Sequence, residues 1–520
     1  MRGQVRIQIG GGCMAMTVAL TGCAPWPAGD PQFATDSARN SHASATTTAA
    51  ADRQRPILAP KNDLAWKPCT PPLPATANPL PTEVILECAN YDADLDPISG
   101  AQGTLSIAAV RARSAQTPPD AAPLVFTTGS DLPSSVQMTT WLSRSGTSVL
   151  KTHPIVAVDR RGMGRSEPID CREPDARAVM NDQAQFSSGD DPVAALAAVS
   201  TTITTGCTDA ISPGDSAYDN ARAAEDLERL RSTWDVPALA LIGIGNGASV
   251  ALAYAGSHPD KVARLVLDSP SIPGASAEPA VEDAAKSQQA ALSAFAAQCL
   301  AVTCTLGPNP EAAVADLLDA ARAARNPGDP SLAEVAAAIN TALGYPSADR
   351  NASTVALANT LAAARSGDLD PLRALIAATG ALRQTDGQFV NTCSDALNRP
   401  TPDRVRELVV AWGKTFPQFG SVAALSMVQC LSWPSGAEPT EPKKLPIDVL
   451  VLGVANDPIA GAQGVPATTA TVLNAGATSR RVMWQGIGHG ALIYSACTLP
   501  PVLNYIDSGA IPQTDIFCPA

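Results

Sequence analysis

The sequence predicts an α/β fold in which a mostly parallel, eight-stranded sheet is interrupted by one large all-helical lid insertion. Two patterns carry that reading. Short apolar, β-branched runs alternate with helical patterns through the first part of the chain and again near its C-terminus, as in a parallel sheet covered on both faces. Between about Ser271 and Pro442 those runs vanish, and only helix starts and stops remain. Composition agrees: of 520 residues, 45% are apolar and 16% charged, which allows a sizeable core and excludes wholesale disorder.

The chain opens with Arg2 and Arg6, a modest apolar stretch from Ile7 to Leu20, and Leu20-Thr21-Gly22-Cys23. A basic start, a short apolar segment and small residues at a cleavage point read as an export signal rather than a membrane span. The ending resembles a bacterial lipobox. Residues 1–22 are then a lipoprotein signal peptide and Cys23 is the lipidated first residue of the mature chain; an ordinary signal with an unmodified cysteine is the alternative. Residues 23–60, including Ser41-His42-Ala43-Ser44-Ala45-Thr46-Thr47-Thr48, show no hydrophobic period and are expected to form a flexible tether. The expected location is the cell envelope, at the outer face of the cytoplasmic membrane.

Strand signals follow at Val84–Cys88 and Leu105–Val110, read as an antiparallel hairpin at one edge, then at Leu124–Thr127 and Ile155–Val158. Helical patterns at Asn220–Trp234 and Gly247–Ser257 alternate with runs at Leu239–Gly243 and Leu265–Leu267, completing a first core segment over residues 61–270. In the lid, residues 271–442, helix starts stand at Asn309-Pro310-Glu311, Ser331-Leu332-Ala333-Glu334, Asp370-Pro371 and Thr401-Pro402-Asp403. The core resumes over residues 443–520 with runs at Val449–Gly453 and Arg481–Trp484. Such an insertion commonly covers the crevice at the strand carboxyl ends, so the chemistry is expected in the loops after the strands.

Charge and cysteine usage narrow the partners. A net charge of −13 with a pI near 4.8 disfavours nucleic acid, which needs clustered Lys and Arg. Four histidines and no Cys/His cluster at ligand spacing give no expected metal site, and no cofactor is expected. With Cys13 and Cys23 set aside, an even set of cysteines remains, which in an exported chain implies disulfides. Spacing alone cannot choose the connectivity. Pairing neighbours in order gives five local staples, Cys69–Cys88, Cys171–Cys207, Cys299–Cys304, Cys393–Cys430 and Cys497–Cys518, the third being the firmest because its members are so close.

The strand Leu239–Ile242 runs into Gly243-Ile244-Gly245-Asn246-Gly247-Ala248-Ser249 and then a helix. That is the strand–turn–helix setting of a nucleophile elbow, G-x-S-x-G, with Gly243 and Gly247 on the flanks and Gly245 where serine should stand. Downstream, Asp457 follows one strand and His489, in Gly486-Ile487-Gly488-His489-Gly490, follows the next. The order nucleophile, Asp, His is that of α/β-hydrolases.

Further residues make the resemblance narrower. Tyr218, Asp226-Leu227, Leu230-Arg231, His258-Pro259-Asp260-Lys261-Val262, Leu265-Val266-Leu267-Asp268 and the turn Asp159-Arg160-Arg161-Gly162-Met163-Gly164-Arg165-Ser166 resemble the prolyl and tripeptidyl aminopeptidase family of α/β-hydrolases, in particular its exported actinobacterial members. The likeness covers about Pro68 to the C-terminus; the lid is matched only by composition and position. It implies Asp457 and His489 as triad partners, and an oxyanion region at Gly129, Ser130 and Asn246. Two positions depart from the family. Gly245 replaces the serine, and the glycine-rich oxyanion loop reads Thr127-Thr128-Gly129-Ser130-Asp131-Leu132-Pro133, where a carboxylate at Asp131 facing the site would oppose a developing oxyanion. Three readings follow: a lipid-anchored pseudoenzyme that binds a peptide or lipid-like ligand in the old crevice; an active exopeptidase or esterase using another nucleophile, Ser130 first, or an activated water; and an assembly factor acting through its lid surface on an unknown protein partner.

Overall fold

A computed structural model of the chain describes residues 55–73, 79–347, 349–435 and 438–520; the expected signal peptide, Cys23 and most of the expected tether lie outside them. The described strands are β1 (Lys67–Pro68), β2 (Ile85–Asp94), β3 (Thr104–Arg113), β4 (Leu124–Thr127), β5 (Ile155–Val158), β6 (Leu239–Ile244), β7 (Val262–Asp268), β8 (Val449–Asn456), β9 (Ser479–Ile487) and β10 (Ile516–Cys518). They form one sheet in the order β1-β2-β3-β5-β4-β6-β7-β8-β9-β10. The β1–β2, β2–β3 and β3–β5 pairs are antiparallel, and every pair from β5 across to β10 is parallel.

The sheet has ten described strands where eight were expected. The two additions are its edges, and they are only two and three residues long, too short to carry a period. Each is held by a disulfide rather than by pattern: Cys69, next to β1, bridges to Cys88 in β2, and Cys518 in β10 bridges to Cys497. All five bridges join sequence neighbours, with Cα–Cα distances from 4.8 to 5.7 Å.

The central strands are apolar throughout because both faces are buried. In β6, Leu239 and Leu241 pack into one core layer while Ala240, Ile242 and Ile244 pack into the other; in β8, Val449 and Val451 oppose Leu450 and Leu452 in the same way. The hairpin β2–β3 runs longer than its apolar signal. Its outer positions Asn90, Asp92 and Asp94 are exposed, so only alternate residues there carry hydrophobicity.

Eight described helices fill the stretch from Ala277 to Ser426. Their starts are set by side-chain caps: Asn309 accepts from the Ala312 N–H, Ser331 and Glu334 form a reciprocal capping box, and Thr401 accepts from the Arg404 N–H. They bury two apolar clusters. One surrounds Phe295, Val314, Ile339 and Leu361. The other, around Val390, Val405, Trp412 and Val428, also takes in Met180, Val193, Leu196 and Ile203 from the helices Pro174–Asn181 and Pro192–Ile211. The helical layer over the sheet therefore draws on residues before 271 as well as on the insertion itself.

Candidate active site

At the end of β6 the chain turns through Gly245, with φ 59° and ψ −124°, straight into the helix Asn246–Ser257. A side chain in that conformation is strained by about 1–3 kcal/mol, which is tolerated where function or packing demands it. The flanking glycines are there for space. A Cβ on Gly243 would lie 2.4 Å from the Gly247 carbonyl oxygen, and one on Gly247 would lie 2.0 Å from that of Thr127. The turn keeps the elbow's backbone although its central residue carries no nucleophile.

Asp457, buried beyond the end of β8, accepts from the backbone N–H groups of Ile459 and Ala460 at 2.9 and 3.0 Å. These bonds aim its carboxylate at His489, whose Nδ1 lies 2.9 Å from Oδ2. The His489 N–H donates to the Gly344 carbonyl of the lid at 2.7 Å. Behind it, the buried Asp268 at the end of β7 accepts from the N–H groups of Ala491 and Leu492 at 2.9 and 2.8 Å, while its own carbonyl receives the Gly245 N–H at 2.9 Å. One residue thus ties the histidine loop to the elbow. Burial foremost pushes the Asp268 carboxyl up to about 6.

The oxyanion side is occupied by Asp131. Its Oδ2 accepts from the Asn246 N–H at 2.7 Å and lies 3.2 Å from His489 Nε2. A Cβ built on Gly245 would fall 1.9 Å from that oxygen and 2.3 Å from Nε2, so the carboxylate stands in the space a serine at 245 would need. The other expected donors are engaged as well. The Ser130 N–H donates to Asn246 Oδ1 at 2.9 Å, and the Gly129 N–H donates to Thr127 Oγ1 at 3.2 Å. Gly129 has φ 56°, and a Cβ there would meet Asn246 Oδ1 at 2.1 Å, which is why this position stays glycine.

Two carboxylates on one imidazole decide its charge. Burial pulls the His489 pKa down, but the Asp457 charge and the hydrogen bonds the ring donates to Asp131 and Asp457 outweigh that and raise it to about 10. Asp131 moves the other way: burial opposes its charge, yet the His489 hydrogen bond and charge, the Arg383 charge and the Asn246 N–H hold it below the ordinary carboxylate value. The pair is an ion pair, and at neutral pH His489 is an imidazolium with no lone pair to accept a proton.

Several side chains around the site had no site role in the sequence. Arg160, from the turn after β5, donates to Asn246 Oδ1 at 2.6 Å, to Asn220 Oδ1 at 2.9 Å and to the Tyr218 carbonyl at 2.6 Å. It also pairs with Asp395 of the lid at 2.9 Å. Asp159 holds the same turn by accepting from Ser135 and from the Arg165 N–H. The resemblance flagged this turn, but nothing local in the sequence connects it to an aspartate in the lid. Ser249 lines the adjoining cavity, and neither it nor Ser130 hydrogen-bonds His489. That cavity, of about 350 Å³, is bounded by Ser130, Asp131, Asn246, Asp395 and Arg383. No group of three or more His, Cys, Asp or Glu among the described residues is placed to hold a metal ion.

Residues 416–518 match the family model described as TAP-like protein. That segment carries both Asp457 and His489 on the strand ends where the parallel sheet, the elbow turn and the strand order require them. The fold is that of an α/β-hydrolase. Solved α/β-hydrolase structures similar to the chain include a 2-hydroxy-6-oxo-6-phenylhexa-2,4-dienoate hydrolase from Rhodococcus, at 12% identity and TM-score 0.36, with 81% of this chain and 99% of that one covered. A thermophilic esterase from Thermogutta terrifontis matches at 13% identity and TM-score 0.35, covering 80% and 98%. A bacterial membrane phospholipase A matches at 13% and 0.33, covering 90% and 92%. No curated protein matches the sequence.

Proposed function

We propose that this chain is a lipid-anchored, exported relative of the tripeptidyl aminopeptidases that has given up serine hydrolysis and binds a peptide or lipid-like ligand in the former active-site crevice. The observation that carries the reading is the position of Asp131. Its carboxylate takes the place of the serine side chain, occupies the Asn246 N–H that should receive an oxyanion, and adds to Asp457 in keeping His489 protonated. Acyl transfer needs the opposite arrangement: a neutral base beside a nucleophile, and empty donors where negative charge develops. Removing a triad serine costs on the order of 10⁶ in rate in the subtilisin example, and here the oxyanion donors are engaged as well. The disulfides and the lipobox-like Cys23 support export. No described helix is long and apolar enough to cross a membrane, and the proposed attachment is through Cys23.

The test is direct. The purified chain should not react with a fluorophosphonate probe, and should turn over aminoacyl and tripeptidyl amides no faster than its His489→Ala variant. Turnover abolished by His489→Ala would instead show that the histidine still serves a nucleophile or a water, and the active-enzyme reading would replace this one. For the anchor, Cys23→Ala should move the protein from the membrane fraction to the soluble exported fraction.

A further inference from the structure

Two cavities share a wall beneath the lid. The first, about 350 Å³, reaches Asp131 and Asn246. The second, about 360 Å³, is walled by lid helices and by residues from Arg172 to Leu196, and Asp131 and Asn246 do not line it. Val281, Arg383, Thr392 and Ile459 line both. Either volume alone is at the small end for a ligand site; together they suit a molecule of a few residues.

The second chamber has an unusual lining. It contains no Asp or Glu, whereas seven Asn and Gln residues border it. Two of its polar atoms are buried and unpartnered. Asn340 Oδ1 and Thr379 Oγ1 make no hydrogen bond, and their residues are only 8% and 4% exposed. A buried polar atom without a partner is costly unless water or a ligand satisfies it. Amide side chains of this kind complement peptide groups, donating to carbonyls and accepting from N–H.

The shared wall carries the charge. Arg172, the other arginine of the second chamber, is committed to Asp386 at 2.7 Å. The Arg383 side chain makes no ion pair or hydrogen bond with the described residues. Its guanidinium stacks 5.3 Å from the centre of the Tyr345 ring, near enough to Asp131 to hold that carboxyl down. Tyr345 in turn lies edge-on to His489, with ring centres 5.6 Å apart. Of the three acids lining the first chamber, Asp131 pairs with His489 and Asp395 with Arg160, leaving Glu441.

We propose that Arg383 anchors a ligand carboxylate, and that the ligand is a short peptide with uncharged side chains whose C-terminal carboxylate docks there while its amide groups fill the second chamber. This rests on the crevice-binding function proposed above and adds the ligand's polarity. The second chamber, without carboxylates, offers nothing to an ammonium, so the charged end held at the Arg383 wall is the C-terminus. Arginine suits that task because its planar donors meet a carboxylate in pairs.

The experiment uses the purified mature chain and two probes, N-acetyl-Ala-Ala-Ala as the free acid and as its C-terminal amide, titrated by ligand-observed NMR. The acid should bind ~10-fold or more tightly than the amide, the scale of one charge-assisted hydrogen-bonded pair. Arg383→Gln should erase the preference and Arg383→Lys should keep part of it. Arg383 is partly buried at the end of the helix Asp370–Arg383 and its side chain forms no ion pair or hydrogen bond, so both variants should unfold close to the wild-type temperature. In the wild type and both Arg383 variants, Asn340→Leu should weaken acid and amide alike. Equal binding of acid and amide, or a preference that survives Arg383→Gln, overturns the role of Arg383 while leaving a peptide-binding crevice. Binding of neither probe to the wild type overturns the assignment of a peptide ligand as a whole.

Discussion

Asp457 and His489 stand on loops whose backbone is tied down by Asp268, Gly344, Ile459 and Ala460, whereas across the crevice Gly245 and Asp131 have exchanged sizes. The histidine side keeps the arrangement a hydrolase needs. On the elbow side, the side chain that should project from the turn is missing, and one from the neighbouring loop projects into its place. The two changes compensate sterically and electrostatically: Asp131 fits because residue 245 has no Cβ, and its charge is balanced by the imidazolium. Each makes the other tolerable, so retention of the Asp–His pair is explained by ion pairing and packing without any need for catalysis. A retained acid–histidine pair is weak evidence of turnover when a third charged group faces it.

The sharpest way to break the contrast is to reverse the elbow side. Gly245→Ser alone should recover almost no hydrolysis of a tripeptidyl amide, because its Cβ would overlap the Asp131 carboxylate; it should also destabilise the chain by about 1–3 kcal/mol through backbone strain. Asp131→Gly alone should give none, having no nucleophile. The double change should exceed the product of the two single effects by ~10² or more, since serine and oxyanion donors act on one transition state. Simple multiplicativity in steady-state rates would mean that Asp131 does not block the site.

A second test leaves the backbone alone. Asp131→Asn keeps the shape and removes one of the two carboxylate charges on His489. Its imidazole, raised to about 10 in the wild type, should titrate lower in the variant while remaining paired with Asp457, as followed by ring-proton or ¹⁵N NMR. An unchanged titration would show that Asp457 alone holds the proton, and the two sides of the site would then be electrostatically independent.

The same contrast shows what the sequence can and cannot express. The elbow was legible although its nucleophile is absent, because Gly243 and Gly247 answer to backbone crowding that any side chain would violate. Asp457 and His489 were legible from their places after successive strands. For Asp131 only the effect of a carboxylate facing the site on an oxyanion was legible; its pairing with His489 and its filling of the serine's space were not, since they depend on a loop after β4 meeting a turn after β6, more than a hundred residues apart in the chain. Asp395 and Arg383 were invisible for a related reason. They lie at helix ends within an alanine-rich lid, where helix patterning reports burial against neighbouring helices and says nothing of which crevice a terminal residue borders. The edge strands β1 and β10 escaped because a bridge, rather than a hydrophobic period, holds them in register.

The smallest effect should appear in stability. The His489 pKa is raised on folding, so the ion triad contributes its full stabilisation below the ordinary histidine value of 6.5 and loses it as pH rises to about 10. The wild-type stability should therefore fall across that window more steeply than that of His489→Gln, which has no proton to lose; chemical denaturation at stepped pH measures the difference. Asp131→Asn should place the upper end of the window at a lower pH, because one of the two charges that retain the proton is gone, while its lower end stays near 6.5. Asp457→Asn should narrow it further, as the Asp457 charge is the strongest influence raising the pKa. If all three variants and the wild type fell in parallel, His489 would be neutral in the folded chain, free to act as a base, and the elbow side alone would separate this protein from a working hydrolase.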